Sequence, residues 1–454
     1  MHEYVSFVLT LAREDGALAL AVAALVLAGA GMFCLIRRRR FPWVRALALA
    51  LLAGYLAALA SMTVTGRAEF GFSSTNFHLF RAWREAWNSF SVKNWLLVLL
   101  NVAAFVPLGV LLPLTAKPFR RWYITVPAGG LLSLAVETLQ LLTGRGTFDV
   151  DDLFTNTLGA ALGFCLVLVV LQLLRPETRS PRRWLPYLAC PLVFAGTVAG
   201  IFAAYYLQPY GNLSIAPSYP TDLSGLQWTT DLALDQEAAS AMVYQAQSMT
   251  QASCEDFGRA FAQAAGIEFP DAYYYDGMTV FANHSSGDFL SVDYRDGSYS
   301  YRAGNPPAAE PTETSLRQAL EALGISIPAG AVFSQESEGN YLFSADFLQE
   351  DGQLYDGAVL CHIRDGRLDE IDHRMIALTP RAEAQILSEA EAYKRLCRGD
   401  FDTAPRLTGF DAVTVTSCAL DYLSDTKGYY QPVYRFTLVT GDKGLDDALI
   451  PALR

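Results

Sequence analysis

The sequence predicts a multi-pass α-helical membrane domain of about six transmembrane helices, followed by an extracytoplasmic α+β domain of repeated helix-plus-antiparallel-sheet modules. Three observations carry this. The 454-residue chain is 52% hydrophobic, and the apolar excess is confined to long blocks before about Leu207. Charge divides at the same place: residues 1–207 hold 18 Lys/Arg against 10 Asp/Glu (+8), and residues 208–454 hold 16 against 36 (−20). Beyond that point short amphipathic stretches alternate with period-2 runs, as in α+β folds. An acidic second half excludes nucleic acid as a partner, because phosphate binding needs clustered cations.

A bilayer crossing takes about 20 apolar residues. Six blocks meet that length, at roughly 16–36, 43–63, 95–115, 122–143, 152–174 and 184–207. The first is read as retained rather than as a cleaved leader, since its basic cluster follows the apolar run. Arg37, Arg38, Arg39, Arg40 and Arg45 follow the first span, Lys117, Arg120 and Arg121 the third, and Arg175, Arg179, Arg182 and Arg183 the fifth. Under the positive-inside rule these loops face the cytoplasm. The N-terminus, loops 64–94 and 144–151 and everything after 207 then lie outside, in a bacterium on the extracytoplasmic face of the cytoplasmic membrane. Trp43, Trp95, Trp122, Tyr123, Trp184, Tyr205 and Tyr206 stand near span ends as interfacial anchors. The lipid bilayer is therefore the first partner implied.

Polar residues interrupt three of these spans near the predicted outer side. Glu137 and Gln140, spaced i, i+3, share one face of the fourth span. Asp152, Asn156, Gly159 and Gly163 form a stripe down the fifth, and Asn101 reaches a similar depth in the third. Two readings stay open for most of them. Asn101 and Asn156 either bond across helices or line a pocket, and Gly159 and Gly163 allow close helix approach. Asp149, Asp151 and Asp152 suit a solvated helix start. Glu137 is harder to place without a purpose, because a charge within a span costs about 2.5–3.5 kcal/mol at the bilayer centre. Arg145 is the cation near it in sequence. Pro107 leaves the Ala103 carbonyl without its helical donor, which is either a kink or a ligand-facing acceptor.

The segments NVAAFVPLGVLLPL from Asn101, E-x-x-Q at Glu137 and Gln140, and GRGTFDVDDLFTNTLGAALG resemble the VanZ-like family of bacterial membrane proteins. The last matches through Arg145, Asp149, Asp152, Asn156, Gly159 and Gly163. Upstream, STNFHLF resembles the family's N-hydrophobic-x-P-F loop but has Leu79 where proline is usual. The resemblance spans roughly residues 45–175. It implies a helical membrane module of the cell envelope with an effect on glycopeptide (teicoplanin) susceptibility, and it implies no established reaction.

Residues 208–228, rich in Pro, Ser and Tyr, read as a linker, and 229–454 as two or three tandem modules at about 250–305, 310–380 and 385–454. RAFAQAAGIEFPDAYYY from Arg259 aligns with RQALEALGISIPAGAVF from Arg317 at an offset of 58, each a helix closed by Gly-Ile and followed by strands. The order faintly resembles PepSY or cystatin-like modules. No P-loop, G-x-S-x-G elbow or H-E-x-x-H occurs, so the sequence implies no cofactor and no metal. Cys361, His362 and His373 are either a thiol or metal site or plain strand neighbours. Of the seven cysteines, Cys254, Cys361, Cys397 and Cys418 fall in the soluble part, where disulfides are compatible with an outside location.

Three function classes follow. The first is a binding module whose outer-face pocket, built from Asn101, Pro107, Glu137, Gln140, Arg145, Asp149, Asp152 and Asn156, takes a polar envelope group such as a lipid-linked cell-wall precursor or a glycopeptide. The second is a membrane enzyme with Glu137 as general acid or base. The third is a sensor or scaffold acting through the soluble part. The absence of a clear nucleophile favours the first.

Overall fold

The computed structural model describes residues 2–38, 41–65, 74–174, 181–275, 277–440, 443–445 and 447–454, with side chains in the first helix from Leu18 onward. Arg39, Arg40, Arg175 and Arg179, which bear on orientation, lie outside the described residues. The chain divides into two compact units meeting at Pro209 and Tyr210.

The N-terminal unit holds α1 (His2–Ile36), α2 (Trp43–Ala60), α3 (Arg81–Ser89), α4 (Val92–Thr115), α5 (Trp122–Thr143), α6 (Val150–Leu173) and α7 (Pro181–Leu207). Six of these contain stretches long and apolar enough to cross a bilayer: Leu18–Ile36, Trp43–Thr63, Val92–Thr115, Trp122–Thr143, Val150–Leu173 and Pro181–Leu207. Their outward faces carry bare leucines, Leu20 and Leu25 each 73% exposed, which is the surface a hydrocarbon environment takes. A lipid bilayer is thus the surrounding of this unit.

Helix ends follow local chemistry. Ser91 Oγ accepts the Asn94 N–H at 3.2 Å to start α4. Gly144, at φ +63°, closes α5 in the left-handed region, and the Arg145 N–H returns to the Gln140 carbonyl at 3.0 Å. Asp149 Oδ1 accepts the Asp151 N–H at 2.8 Å as the N-cap of α6. The end of α2 continues as a π-turn over Ser61–Thr65.

Glycine sets the packing of α4 on α6. A Cβ built at Gly109 would stand 2.0 Å from the Ala160 carbonyl oxygen, at Gly159 2.0 Å from that of Val102, and at Gly163 2.1 Å from that of Val106. The two backbones therefore touch, a close approach in which Cα–H groups face carbonyls.

Among the described residues the C-terminal unit is sheet-rich with three α-helices. β3 (Gln227–Thr230) and β4 (Ser240–Ala246) precede α8 (Gln251–Ala265). Four strands follow it: β5 (Asp271–Tyr275), β6 (Met278–Asn283), β7 (Asp288–Asp293) and β8 (Tyr299–Arg302). After α9 (Glu313–Ala322) come β9 (Val332–Ser337), β10 (Asn340–Glu350), β11 (Gln353–Arg364), β12 (Arg367–His373) and β13 (Ile376–Gln385). After α10 (Glu389–Cys397) come β14 (Ala412–Ser424), β15 (Tyr429–Thr440), β16 (Lys443–Gly444) and β17 (Ala448–Pro451). Numbering starts from two short strands of the N-terminal unit, β1 (Ser74–Asn76) and β2 (Thr147–Asp149).

Among the described residues, one sheet runs β3-β14-β15-β4-β13-β11-β12-β8-β7-β6-β5, with β9 and β10 branching from β11, and β16 and β17 from β15. Its pairings are antiparallel except β3 with β14. Its two larger cores lie around Phe261, Leu290, Leu316, Leu320 and Phe343 and around Leu396, Phe401, Phe436, Leu438 and Ile450, with a smaller cluster at Ala246, Ile376 and Leu378. The Arg259 and Arg317 segments close alike. Gly266 and Gly324 both take positive φ, and Ile267 and Ile325 donate to Ala262 and Leu320 at 3.0 and 2.9 Å. The segment read as a linker has no regular structure before β3, but Ile215, Leu223 and Leu226 are buried and the Gly211 N–H donates to Asp425 at 2.6 Å. All seven cysteines are free.

Candidate functional site

Two loops are stitched together at one end of α5 and α6. β1 and β2 pair in parallel with Asn76 opposite Asp149. Asn76 is buried and its Nδ2 donates to both oxygens of Asp149 at 3.1 Å. Glu137, also buried, accepts the Asp149 N–H at 3.0 Å through Oε2. Glu137 thus holds the backbone of the turn, and the Arg145 N–H within that turn returns to the Gln140 carbonyl. Gln140 Nε2 donates to Thr63 O at 3.0 Å, in the π-turn at the end of α2. These residues fasten the turn to α5 and to the end of α2.

A second polar group lies between α3, α4 and α6. Asn101 Nδ2 donates to Asp152 Oδ1 at 2.5 Å across the α4–α6 contact. Asp151, 1% exposed, accepts the backbone N–H groups of Phe80 and Ala82, the latter at 2.7 Å, and so caps the start of α3. Phe80 takes φ +65° to present its N–H, an unusual conformation for an aromatic residue. A cavity of about 90 Å³ opens here, lined by Glu85, Asn94, Asn101, Asp151, Asp152 and Thr155 among others.

The sequence-derived set thus separates. Asn101 and Asp152 line the cavity; Glu137, Gln140 and Asp149 belong to the turn; Asn156 lies deeper, donating to Ser133 Oγ on α5 at 3.0 Å. Pro107 is on the exposed side of α4, and the nearby Ala104 carbonyl takes the Tyr55 hydroxyl at 2.9 Å. Two functional-looking residues stood outside that set. Asn76 was signalled only by the STNFHLF loop, and Asp151 was hidden among three aspartates within four positions.

The segments that build this arrangement fall inside residues 41–172, which match the family model described as VanZ/LLP1. This segment is a VanZ-like domain. No curated protein matches the chain. A crystal structure of an uncharacterized protein from Eubacterium rectale ATCC 33656 is similar at 11% identity over 49% of this chain and 87% of its own, with a TM-score of 0.26, too low to define a shared fold. The VanZ-like domain accordingly contains β1, β2, α2 to α5 and nearly all of α6, with both polar groups.

In the C-terminal unit, Cys361, His362 and His373 form no common site. Cys361 is fully buried in the core, which pushes its thiol up to about 12. His362, next along β11, donates from Nδ1 to Asp369 Oδ1 at 2.6 Å. The His373 ring stacks on Tyr299 with centroids 4.5 Å apart, and burial holds it down at about 4.

Proposed function

We propose that the VanZ-like domain holds a polar, donor-bearing group of a cell-envelope molecule, such as the headgroup of a lipid-linked cell-wall precursor, in the cavity between α3, α4 and α6. Through that contact the protein affects glycopeptide (teicoplanin) susceptibility. The observation that carries the reading is the lining, with Glu85, Asp151 and Asp152 as carboxylates and Asn94 and Asn101 as amides around about 90 Å³. Pockets that enclose whole drug-sized ligands run to roughly 300–1,000 Å³. This one admits a single group, and its acceptors suit an amine or hydroxyls.

The basic residues Arg37, Arg38, Lys117, Arg120, Arg121, Arg182 and Arg183 stand at the span ends opposite to those that carry Asp151 and Asp152. That distribution supports a bacterial cytoplasmic-membrane protein with the cavity, the N-terminus and residues 208–454 outside. Binding is favoured over catalysis because Glu137, the candidate general acid or base, is absent from the lining and accepts the Asp149 N–H. Asn101→Ala and Asp152→Ala are expected to abolish any glycopeptide or envelope-stress phenotype at undiminished membrane levels, read by susceptibility testing with immunoblots. An unchanged phenotype in both would falsify the proposal.

A further inference from the structure

Among the described residues, the sheet of the C-terminal unit ends on β5, whose one hydrogen-bonded neighbour is β6. Exposed edges are normally blunted by Lys, Pro, a bulge or a covering element, because their unpaired N–H and C=O groups recruit another strand. β5 opens on Asp271 directly after Pro270, but the four residues that follow, Ala272–Tyr275, read Ala-Tyr-Tyr-Tyr without Lys or Pro, and the register with β6 is unbroken. Tyr274 and Tyr275 are 38% and 41% exposed. The free edge at β9 differs: a register shift interrupts it opposite Asn340 and Tyr341, and it carries Glu336.

A groove of about 590 Å³ runs beside β5. It exists because α8 sits low over β6. A Cβ at Gly258 would stand 2.7 Å from the Phe281 ring, so the helix presses on that ring, while over β5 Glu255 of α8 bonds to the Tyr274 hydroxyl at one side of the groove. Ala262, Phe269, Ala272 and Phe281 give the groove an apolar lining, with Glu255 and Glu268 at its rim. Ala272 and Tyr274 both line it, as alternate residues of one strand do. Arg259, the cation there, has its guanidinium against Asp256. The surrounding chain is acidic, 16 Lys/Arg against 36 Asp/Glu over residues 208–454.

We infer that β5 and this groove form a docking site for an extended basic peptide segment. The segment adds to the sheet as the next strand and places alternate apolar side chains in the groove. Main-chain hydrogen bonds supply affinity, and the acidic rim selects Lys or Arg between the apolar positions. The site is separate from the membrane cavity and stands whether or not that cavity binds anything.

The test uses the full chain purified in detergent and a fluorescein-labelled Lys-Val-Lys-Val-Lys-Val-Lys peptide, read by anisotropy. A copy N-methylated at every internal peptide bond keeps the charge but cannot pair. Ala272→Lys places a like charge on the edge at an exposed position that folding tolerates. Saturable binding to wild type is expected, at least tenfold weaker for Ala272→Lys and for the N-methylated peptide. Equal binding of the N-methylated peptide, or no saturable binding by wild type, overturns the inference. A concentration-dependent dimer in light scattering that Ala272→Lys abolishes also overturns it, because the edge then belongs to a second copy.

Discussion

Asn76 and Asp149 face each other across the parallel β1–β2 pair, with the amide nitrogen 3.1 Å from each carboxylate oxygen. Asp149 is at once the N-cap of α6 and the acceptor for a loop from 73 residues earlier in the chain. The start of α6, and with it the direction of Asp151 and Asp152, is therefore set by the upstream loop. Hydrogen bonds to charged groups contribute about 1.5–3 kcal/mol. Asn76→Ala should lower the detergent melting temperature, and Asn76→Asp should lower it further, since two carboxylates would then oppose each other at neutral pH. A melt of Asn76→Asp equal to wild type would show that the pair holds nothing.

The α4–α6 contact predicts a contrast among glycines. Gly159→Ala forces a methyl into a carbonyl that would be 2.0 Å away, and backbone cannot retreat as a flexible side chain does. Overpacking of this kind costs about 1–3 kcal/mol. Gly200→Ala, on α7 with nothing within 4 Å of its Cβ, should leave the same melt unchanged. Equal effects at the two positions would mean that α4 and α6 do not touch through their backbones.

Six spans were legible because a bilayer crossing demands a long apolar run, and the E-x-x-Q spacing placed Glu137 and Gln140 on one helix face, which the structure buries. The division of the polar residues between turn and cavity was not legible. Adjacent helix positions differ by about 100°, so which of Asp151 and Asp152 faces α3 depends on the N-cap falling at Asp149, and that depends on Asn76. The sheet was opaque for a related reason. β4, which the sequence reading did not single out, has its partners β13 and β15 more than 130 residues later, as in Leu378 with Ala246 and Tyr429 with Gln245. Local pattern carries no such register.

The Asn101–Asp152 pair allows a charge swap. Asn101→Asp alone puts two carboxylates together across the helix contact, and Asp152→Asn alone leaves two amides with the cavity one charge poorer. The double variant restores one amide and one carboxylate with the same total charge. It should recover most of the stability lost by Asn101→Asp in a detergent melt. If it recovers none, the two side chains are not coupled, because coupled neighbours show interaction energies of about 0.5–3 kcal/mol in double-mutant cycles.

His373 gives the C-terminal unit a pH limit. Burial beneath Tyr299 lowers its folded-state value from 6.5 to about 4, so between those values the unfolded chain binds a proton that the folded chain does not. Stability then rises with pH across that window: the contribution is complete above about 6.5 and is lost as pH falls toward 4. The size is on the order of 1–3 kcal/mol at most. Chemical unfolding of the full chain, followed by the β-sheet circular dichroism signal, should show a lower midpoint at pH 5 than at pH 7. His373→Phe keeps a ring against Tyr299 and removes the titration, so its midpoint should fall less over the same interval. An equal fall in both proteins would assign the pH dependence to the carboxylates of the unit instead.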